Sequence, residues 1–490
     1  LAGVTISIVG TSSGTSTNND GSYTLQVNTS SKKLLYSIVG YRAKEVDING
    51  QSVIDVVLEA NVDNLDEVVV VGYSSQKVKY LSSAITTLNE SKLKDVTSND
   101  LATMLQGKAP GVVVSSGSGS PTSKPNVLIR GAGTITASTA PLIVVDGNIG
   151  GDYNPEDIES VTILRDVAAT GLYGSRAANG VILINTKRGQ QGDTKIDVRS
   201  SFGFSEPTTG NFKLMNSQQL YDYQTKFYNR SPAVLDNDTD WWNLAFRKGF
   251  VNNNNIAVSG GSEKVQFYTS GVFFRETGTL KGTDVTNYNF RTNLNAKLSN
   301  KVNLGIYLNG GTNKGNYENS NTIYDAYTNL PFDPAYNADG DPIDGRYASI
   351  WYGRERENFL HSLQYNYSNG KNYNYSGDLN LDYTISEKFT LSSYNKLQHY
   401  NGKTIRYYDR RTKQGGANEG ELYNGTSSSQ RYLTSNRIRY NDNFGANNIA
   451  VLGVAEAETT ISDWTSTSGK GLPPGRDVMS VATNVLLSPG

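Results

Sequence analysis

The chain has 490 residues, and its 45 basic and 46 acidic side chains leave a net charge of -1. This balance argues against the basic surface that nucleic-acid binding requires. Cysteine is absent, which excludes disulfides and cysteine-ligated metal centres, and only two histidines are present, His361 and His399. Histidine metal sites and Ser-His-Asp catalysis therefore have almost no raw material, and we predict a protein that is not an enzyme and holds neither a cofactor nor a metal.

The composition favours β-structure. The chain carries 31 Tyr, 14 Phe, 4 Trp and 49 Gly, and its mean hydropathy is -0.47. No run approaches the roughly 18 apolar residues of a membrane helix. Abundant tyrosine and glycine suit either an outer-membrane β-barrel or a soluble β-sandwich, and composition alone leaves both open.

Residues 1–60 alternate apolar and polar side chains, which predicts half-exposed antiparallel strands. We expect a small β-sandwich of about five strands, with turns at Asn19-Asp20-Gly21 and at Gly40. Four consecutive valines follow at 68–71. This β-branched run is a strand, either an ordinary buried one or an exposed linker strand to which another protein can add.

Residues 79–188 form the α/β part of the chain. Ser98 or Asn99 can cap a short helix over 100–106, and Pro155 suits the first position of another helical turn. Strands are predicted near 112–114, 127–130, 142–145, 161–164 and 181–185, with a second helix near 167–172.

From residue 189 onward the predicted strands are longer and more polar. Nine candidates are 195–205, 255–259, 264–276, 288–298, 301–312, 373–385, 388–400, 431–440 and 448–458. Most have about ten residues, and short turns alternate with long loops, which is typical of an outer-membrane barrel. Asn216 or Ser217 can cap a loop helix that runs to Tyr228.

Specific sequence motifs within residues 79–188 resemble the plug of SusC/RagA-family TonB-dependent transporters. They are LQGKAPGV at 105–112, IRG at 129–131, PLIVVDG at 141–147, PEDIESV at 155–161, LRD at 164–166 and YGSRAANGVI at 173–182. Residues 1–60 resemble the carboxypeptidase-regulatory-like sandwich of that family without its first strand, and YNFRTNLN at 288–295 resembles an early barrel segment.

The resemblance implies a mainly β fold with four parts: a β-sandwich over 1–60, a linker with a TonB box over 61–78, a small α/β plug domain over 79–188, and the first, incomplete part of a transmembrane antiparallel β-barrel over 189–490. It implies energy-coupled import of oligosaccharides or peptides across the outer membrane of a Bacteroidetes-type bacterium. The implied partners are periplasmic TonB, a SusD-like surface lipoprotein that acts as a lid, the substrate and outer-membrane lipid, with no nucleic acid. The implied TonB-binding residues are Asp66, Glu67, Val68, Val69, Val70, Val71, Gly72 and Tyr73.

The plug motifs supply a set of candidate structural residues: Arg130, Gly131, Asp146, Gly147, Asp157, Arg165, Asp166, Tyr173, Gly174 and Arg176. Their charged members can form a buried ion-pair network that holds the plug in the barrel, or can be solvated turn charges. We favour structural roles over ligand contact for them.

The loop between 313 and 372 supplies weak substrate candidates: Tyr324, Trp351, Tyr352, Arg354 and Arg356. Aromatic rings beside guanidinium groups suit a sugar or peptide ligand, but an interfacial girdle or packing of the loop on itself explains them equally well. Two acidic groups, 236–240 and 339–344, resemble calcium loops only loosely, because the first lacks the required glycine and glutamate.

Nine strands do not close a membrane barrel of this family, and a sheet edge with unpaired amides cannot face lipid. We therefore expect either a fragment of a longer polypeptide or one chain of a split assembly. The alternative is a secreted or surface β-rich binding module without transport, which has no use for a plug between its sandwich and its sheet.

Overall fold

The computed structural model describes residues 1, 3–9, 13–18, 20–27, 33–38, 41, 44–58, 68–71, 74–77, 85–115, 120–131, 133, 138–165, 171–208, 210–318, 321–444 and 447–489. The chain divides into two compact units, Leu1–Ser82 and Ser83–Gly490.

The first unit contains a four-stranded antiparallel sheet in the order β2-β1-β3-β4. Its strands are β1 Thr5–Ile8, β2 Gly14–Ser16, β3 Lys33–Ser37 and β4 Lys44–Asp47. Alternate side chains of β1 and β3 point to one face, where Ile6, Ile8, Leu34 and Tyr36 are buried. This alternation is why the segments fold as strands.

Two of the five predicted strands differ from expectation. Residues 23–27 and 54–58 are not part of a strand ladder, but they cover the sheet and pack their apolar side chains on its core. The Tyr23 hydroxyl lies 2.6 Å from the Tyr36 hydroxyl and donates to the carbonyl of Ile54 at 3.0 Å. Within the described residues, side chains therefore hold this second layer on the sheet. Gly21 has the positive φ predicted for its turn, 86°, whereas Gly40 lies outside the described residues.

Replacing Ile6 with alanine tests this core. Ile6 has no exposed surface, so Ile6→Ala should lower the free energy of unfolding of a 1–82 fragment by about 2–5 kcal/mol through lost burial and the cavity left behind. Val57→Ala is the control, because Val57 is 80% exposed, and it should change stability by less than about 0.5 kcal/mol. Urea denaturation followed by circular dichroism measures both, and equal losses would contradict the assignment of the core.

The second unit begins with the α/β domain. A five-stranded sheet in the order β11-β10-β13-β12-β7 combines the parallel pair β10 and β13 with antiparallel neighbours, and β8 and β9 form a separate hairpin. The strands are β7 Ile85–Asn89, β8 Val112–Ser115, β9 Asn126–Ile129, β10 Leu142–Val145, β11 Asn148–Ile149, β12 Ile158–Leu164 and β13 Val181–Thr186. The helical segments are Glu90–Leu93, Leu101–Leu105, and the 3-10 turns Pro155–Asp157 and Gly171–Ala177.

Two helix predictions in this domain need correction. Asp100, rather than Ser98 or Asn99, caps the helix Leu101–Leu105, since its carboxylate accepts from the backbone N–H of Ala102 at 2.7 Å. The second helix was expected near 167–172. The described part is the 3-10 segment Gly171–Ala177, which Gly174 interrupts with a φ of 63°, while residues 166–170 lie outside the described residues.

The rest of the unit is one ten-stranded antiparallel sheet in which each strand pairs with the next along the chain. Its strands are β14 Gly192–Ser205, β15 Gly249–Gly261, β16 Val265–Thr277, β17 Asp284–Ser299, β18 Val302–Asn316, β19 Tyr367–Thr384, β20 Phe389–Tyr408, β21 Glu421–Phe444, β22 Asn447–Lys470 and β23 Asn484–Pro489. All nine predicted strands are present, most of them longer than predicted, and β23 was not predicted. β14 and β23 are the two edges, so the barrel is incomplete in this chain.

The long connections carry short helices: Ser217–Gln224, Trp241–Ala245, Thr322–Thr328, Phe359–Tyr365 and Lys413–Ala417, with 3-10 turns at Pro232–Asp236 and Met479–Val481. Asn216 caps the first of these helices, one of the two caps predicted, in a reciprocal capping box with Gln219. No helix in the described part of the chain is long and apolar enough to cross a membrane.

The ten-stranded sheet carries its apolar side chains on the exposed face and its polar side chains on the buried face. On β17, Tyr288 and Phe290 are more than half exposed on one face, whereas Asn287, Arg291 and Asn293 are at least 96% buried on the other. A water-soluble sheet places its apolar face inside. The reverse arrangement is typical of a sheet whose outer face lies in lipid and whose inner face is polar.

Candidate functional site

The α/β domain contacts the inner face of the large sheet, defined here as the face on which Asn287, Arg291 and Asn293 lie. The centre of the contact is Asp157, which is 1% exposed. Its carboxylate accepts hydrogen bonds from the hydroxyls of Tyr268 at 2.8 Å and Ser270 at 2.6 Å. The guanidinium Nε of Arg291 lies 3.7 Å from the other carboxylate oxygen, which makes a buried ion pair between the domain and the sheet.

Asp146 forms a second contact around the same arginine. It occupies a turn with a φ of 49°, and it accepts from the backbone N–H of Thr186 at 3.0 Å and the Thr186 hydroxyl at 2.6 Å. Arg188 and Arg291 each have a guanidinium nitrogen within 4.0 Å of its carboxylate. The turn and the sheet are therefore linked through one buried guanidinium.

Neutral and charged hydrogen bonds extend this interface along the sheet. Their pairs are Asn253 Nδ2 to Glu156 Oε1 at 2.6 Å, Asn293 Nδ2 to the Lys187 carbonyl at 2.7 Å, Gln398 Nε2 to Asp152 at 2.9 Å, and Arg431 to the Ile149 carbonyl at 2.8 Å. These contacts are polar, so water can replace them when the surfaces separate.

Other predicted plug residues act within the domain. Arg165 donates to the Pro110 carbonyl at 2.7 Å and to the Thr86 hydroxyl at 3.1 Å, so it joins two segments of the domain itself. Arg130 and Gly131 both adopt positive φ, at 60° and 95°. Tyr173 is buried and Arg176 is exposed, while Gly147 completes the turn after Asp146 with a φ of 84°. Asp166 lies outside the described residues.

Several contacting residues were not among the predicted site residues, namely Glu156, Asn253, Tyr268, Arg291 and Gln398, although Glu156 and Arg291 lie within the quoted motifs at 155–161 and 288–295. Asn253, Tyr268, Arg291 and Gln398 lie on four strands, and only the register of those strands brings them to the same domain. The one available signal was the polar side chains at alternate positions of the predicted strands, which marks a polar face but not its partner.

The predicted TonB-binding segment is described only at its valines. Val68–Val71 form β5, which pairs antiparallel with β6, Ser74–Lys77. Asp66, Glu67, Gly72 and Tyr73 lie outside the described residues.

The loop candidates divide into two groups. Trp351 is 5% exposed and packs with Trp241 and Phe359 in a loop core, so packing of the loop on itself, rather than ligand contact, accounts for it. Tyr324 and Tyr352 are 45% and 40% exposed, and Arg354 is exposed as well. Arg356, with a φ of 53°, donates to the Arg346 carbonyl at 3.0 Å.

The acidic groups considered for calcium have other partners. Asp240 caps the helix Trp241–Ala245, Asp238 accepts from the Ser217 N–H at 2.7 Å, and Asp344 pairs with Arg346. Within the described ranges no cluster of three His, Asp or Glu side chains has a metal-binding arrangement.

Family comparisons agree with this architecture. Residues 77–181 match the TonB-dependent Receptor Plug Domain model, and residues 1–70 match the CarboxypepD_reg-like domain model. TonB-dependent receptor P26 of Formosa agariphila is 31% identical over 506 residues, covering 96% of this chain and 49% of the relative. TonB-dependent receptor SusC of Bacteroides thetaiotaomicron is 30% identical over 309 residues, covering 60% of this chain and 30% of the relative.

Among solved structures, the RagAB peptide importer in its open-open state superimposes with a TM-score of 0.73 at 22% identity, covering 86% of this chain and 53% of that one. That likeness supports the fold. The chain spans about half the length of the curated relatives it matches.

The chain belongs to the SusC/RagA family of TonB-dependent transporters, and its α/β domain is the plug. The curated relatives are receptors by name, which fits a protein that is not an enzyme.

Substituting Asp157 tests the plug contact. Asp157→Ala leaves the buried Arg291 guanidinium without its principal carboxylate, so it should weaken the seating of the plug by about 3–5 kcal/mol. In the full-length protein we expect earlier plug release in urea, measured by labelling a single cysteine introduced into the plug. Asp193→Ala on an exposed strand end is the control and should not shift the transition. An unchanged midpoint for Asp157→Ala would contradict the role of this ion pair.

Loop stability should depend on pH through Asp325, which is 4% exposed on the helix Thr322–Thr328. Burial and the nearby Glu357 carboxylate raise the pKa of Asp325 to about 7. A carboxyl group with a raised folded pKa binds its proton more tightly when folded, so stability falls as pH rises from about 4 through about 7. We expect faster proteolysis of the 317–366 loop at pH 8 than at pH 5.5, after correction for protease activity.

Asp325→Asn removes this titration and should make the profile less steep, while Asp333, whose pKa burial raises to about 6, keeps part of the slope. Asp339→Asn, at an exposed position in the same loop, should keep the full slope. A profile that Asp325→Asn leaves unchanged would assign the pH dependence to another group.

Proposed function

We propose that this chain provides the regulatory sandwich, the plug and the first barrel strands of a transporter that imports oligosaccharides or peptides across the outer membrane of a Bacteroidetes-type bacterium. The observation that carries the proposal is the polar seat of the plug, where Asp157 and Asp146 meet Arg291 on the inner face of a sheet with an apolar exterior. Such a seat blocks the pore at rest.

The polarity of the seat suits repeated opening. Separating an apolar interface costs about 25 cal/mol per Å² of newly exposed apolar surface, whereas separated polar groups regain hydrogen bonds with water. A plug held by charge-assisted hydrogen bonds therefore resists diffusion and yields to a directed pull.

Energy reaches the plug, in this proposal, through residues 66–73. Among the described residues, β5 and β6 pair only with each other, so periplasmic TonB can add a strand to the outer edge of either one by main-chain pairing. Main-chain pairing tolerates varied side chains and transmits force along the strand. We assign residues 1–60, 61–78, 79–188 and 189–490 to the sandwich, linker, plug and barrel parts.

A surface lipoprotein of the SusD type is the proposed lid. It would close over the end of the sheet that bears the long connections, where Tyr324 and Tyr352 are exposed. Tyr324, Tyr352, Arg354 and Arg356 remain candidate contacts for substrate or lid at that end.

Deletion of residues 66–73 should abolish growth on the cognate nutrient while the protein remains in the outer membrane. A finer pair of variants separates backbone from side chain: Val70→Pro removes an N–H donor and should abolish uptake, whereas Val70→Thr keeps the backbone and should retain it. The measurements are growth rate and the amount of transporter in isolated outer membranes. Normal growth of the deletion strain would contradict the proposal and favour a β-rich binding module without transport.

A further inference from the structure

We propose that the cavity between the plug and the inner face of strands β14 to β20 binds an uncharged, hydroxyl-rich oligosaccharide. The inference rests on the proposed import function and names the substrate class for it. It comes from the side chains of this chain, because the family relationship admits both sugars and peptides.

The cavity has a volume of about 780 Å³ and lies between plug segments near 97–106, 120–125 and 151–155 and the inner face of the sheet. A second cavity of about 740 Å³ lies beneath the loop helix that bears Tyr324, and Tyr317 lines both. Each is within the range of about 300–1,000 Å³ that ligand sites occupy. Because Tyr317 lines both, the two cavities adjoin each other.

Asparagine side chains line the cavity at the plug in rows across the strands. Asn287, Asn313 and Asn372 are direct register neighbours on β17, β18 and β19. The side-chain amide of Asn313 donates to the side-chain oxygen Oδ1 of Asn287, and the Tyr400 hydroxyl donates to Asn372 Oδ1 at 2.9 Å. The row is therefore a connected set of amides and a phenol along one wall of the cavity.

Gly311 makes room for the next row. It lies between Asn289 and Asn374 in the register, and a Cβ at this glycine would lie 2.5 Å from Asn289 Oδ1 and 2.8 Å from Asn374 Oδ1. A larger residue would push both amides aside. Glycine at this position therefore leaves the space that the two amide groups occupy.

Two buried donors at the cavity have no acceptor in the described part of the chain. Asn287, on the sheet, is 3% exposed, and Asn154, on the plug, is 2% exposed. The Nδ2 atom of each is buried without a hydrogen-bond partner. A buried donor without an acceptor is costly, and a ligand oxygen would supply one once the amide turns toward the cavity.

The chemistry of the wall selects the class of ligand. An amide donates and accepts, as a sugar hydroxyl does, and tyrosine rings such as Tyr400 present a face to sugar C–H groups. A peptide held by main-chain pairing needs a free strand edge, but β15 to β20 are each paired on both sides, and the edge strand β14 contributes only Ser205 to the lining. Three carboxylates line the cavity against one ammonium group, which disfavours anionic glycans: Asp100, Asp152, Glu276 and Lys124.

The full-length transporter, purified with its lid, tests the class directly. It is incubated with three size-matched pools, neutral oligosaccharides, uronate or sulfated oligosaccharides, and peptides from a protein digest, and native mass spectrometry identifies what stays bound. We expect retention from the neutral pool. Retention of peptides or acidic glycans in its place, or of nothing, overturns the proposal.

Variants then place the retained ligand in this cavity. Asn287→Ala and the half-buried Asn374→Ala should each weaken binding by about tenfold, since each removes a hydrogen-bonding group from a buried site. Asn303→Ala is the matched control: it alters an exposed amide on the same strand as Asn313, about ten residues away, and should change binding less than about twofold. Equal effects of all three, or none, would place the ligand elsewhere.

The outcomes for class and for transport are separable. If deletion of 66–73 still abolishes uptake while peptides are the retained species, the import function stands and only the glycan assignment fails. If uptake survives that deletion, the import proposal fails whatever the cavity binds.

Discussion

The alternation of side chains along the ten long strands is the constraint on which the rest of this structure depends. A strand turns successive residues to opposite faces, so one sequence can present tyrosine and phenylalanine to lipid and asparagine and arginine to the interior. On β17 this puts Tyr288 and Phe290 outside and Asn287 and Arg291 inside. A slip of one residue would reverse every position, so the register is held by the surroundings on both faces.

The polar interior then determines how the plug is held. Because the inner face carries hydroxyls, amides and one buried guanidinium, the plug meets it with Asp157, Asp146 and Glu156. Buried charge is tolerated only where it is paired, which ties the plug to one seat. The same polarity makes these contacts separable, because water can take the place of either partner.

Much of the architecture was predictable from the sequence, for identifiable reasons. The alternation of apolar and polar residues located all nine of the long strands predicted, and the plug motifs located the α/β domain. The ends of the strands were missed, because polar residues such as Glu421 continue the ladder once neighbouring strands supply partners. The short β23 was missed for a similar reason: only its pairing with β22 distinguishes it from a loop. In the first unit, residues 23–27 have the pattern of a strand but cover the sheet through side chains.

The site was less predictable than the fold, since it is assembled from residues far apart in the chain. Asp157 belongs to a recognisable plug motif, but its partners Tyr268 and Arg291 contact it only through the register of β16 and β17. Trp351 shows the converse: an aromatic residue in a polar loop suggested ligand contact, whereas the loop buries it in a small core of its own. The amide rows follow the same logic, because an asparagine at every second position is ordinary on one strand and becomes a binding wall only when three strands align it. What a barrel wall can bind is therefore encoded in the pairing of its strands as much as in their composition.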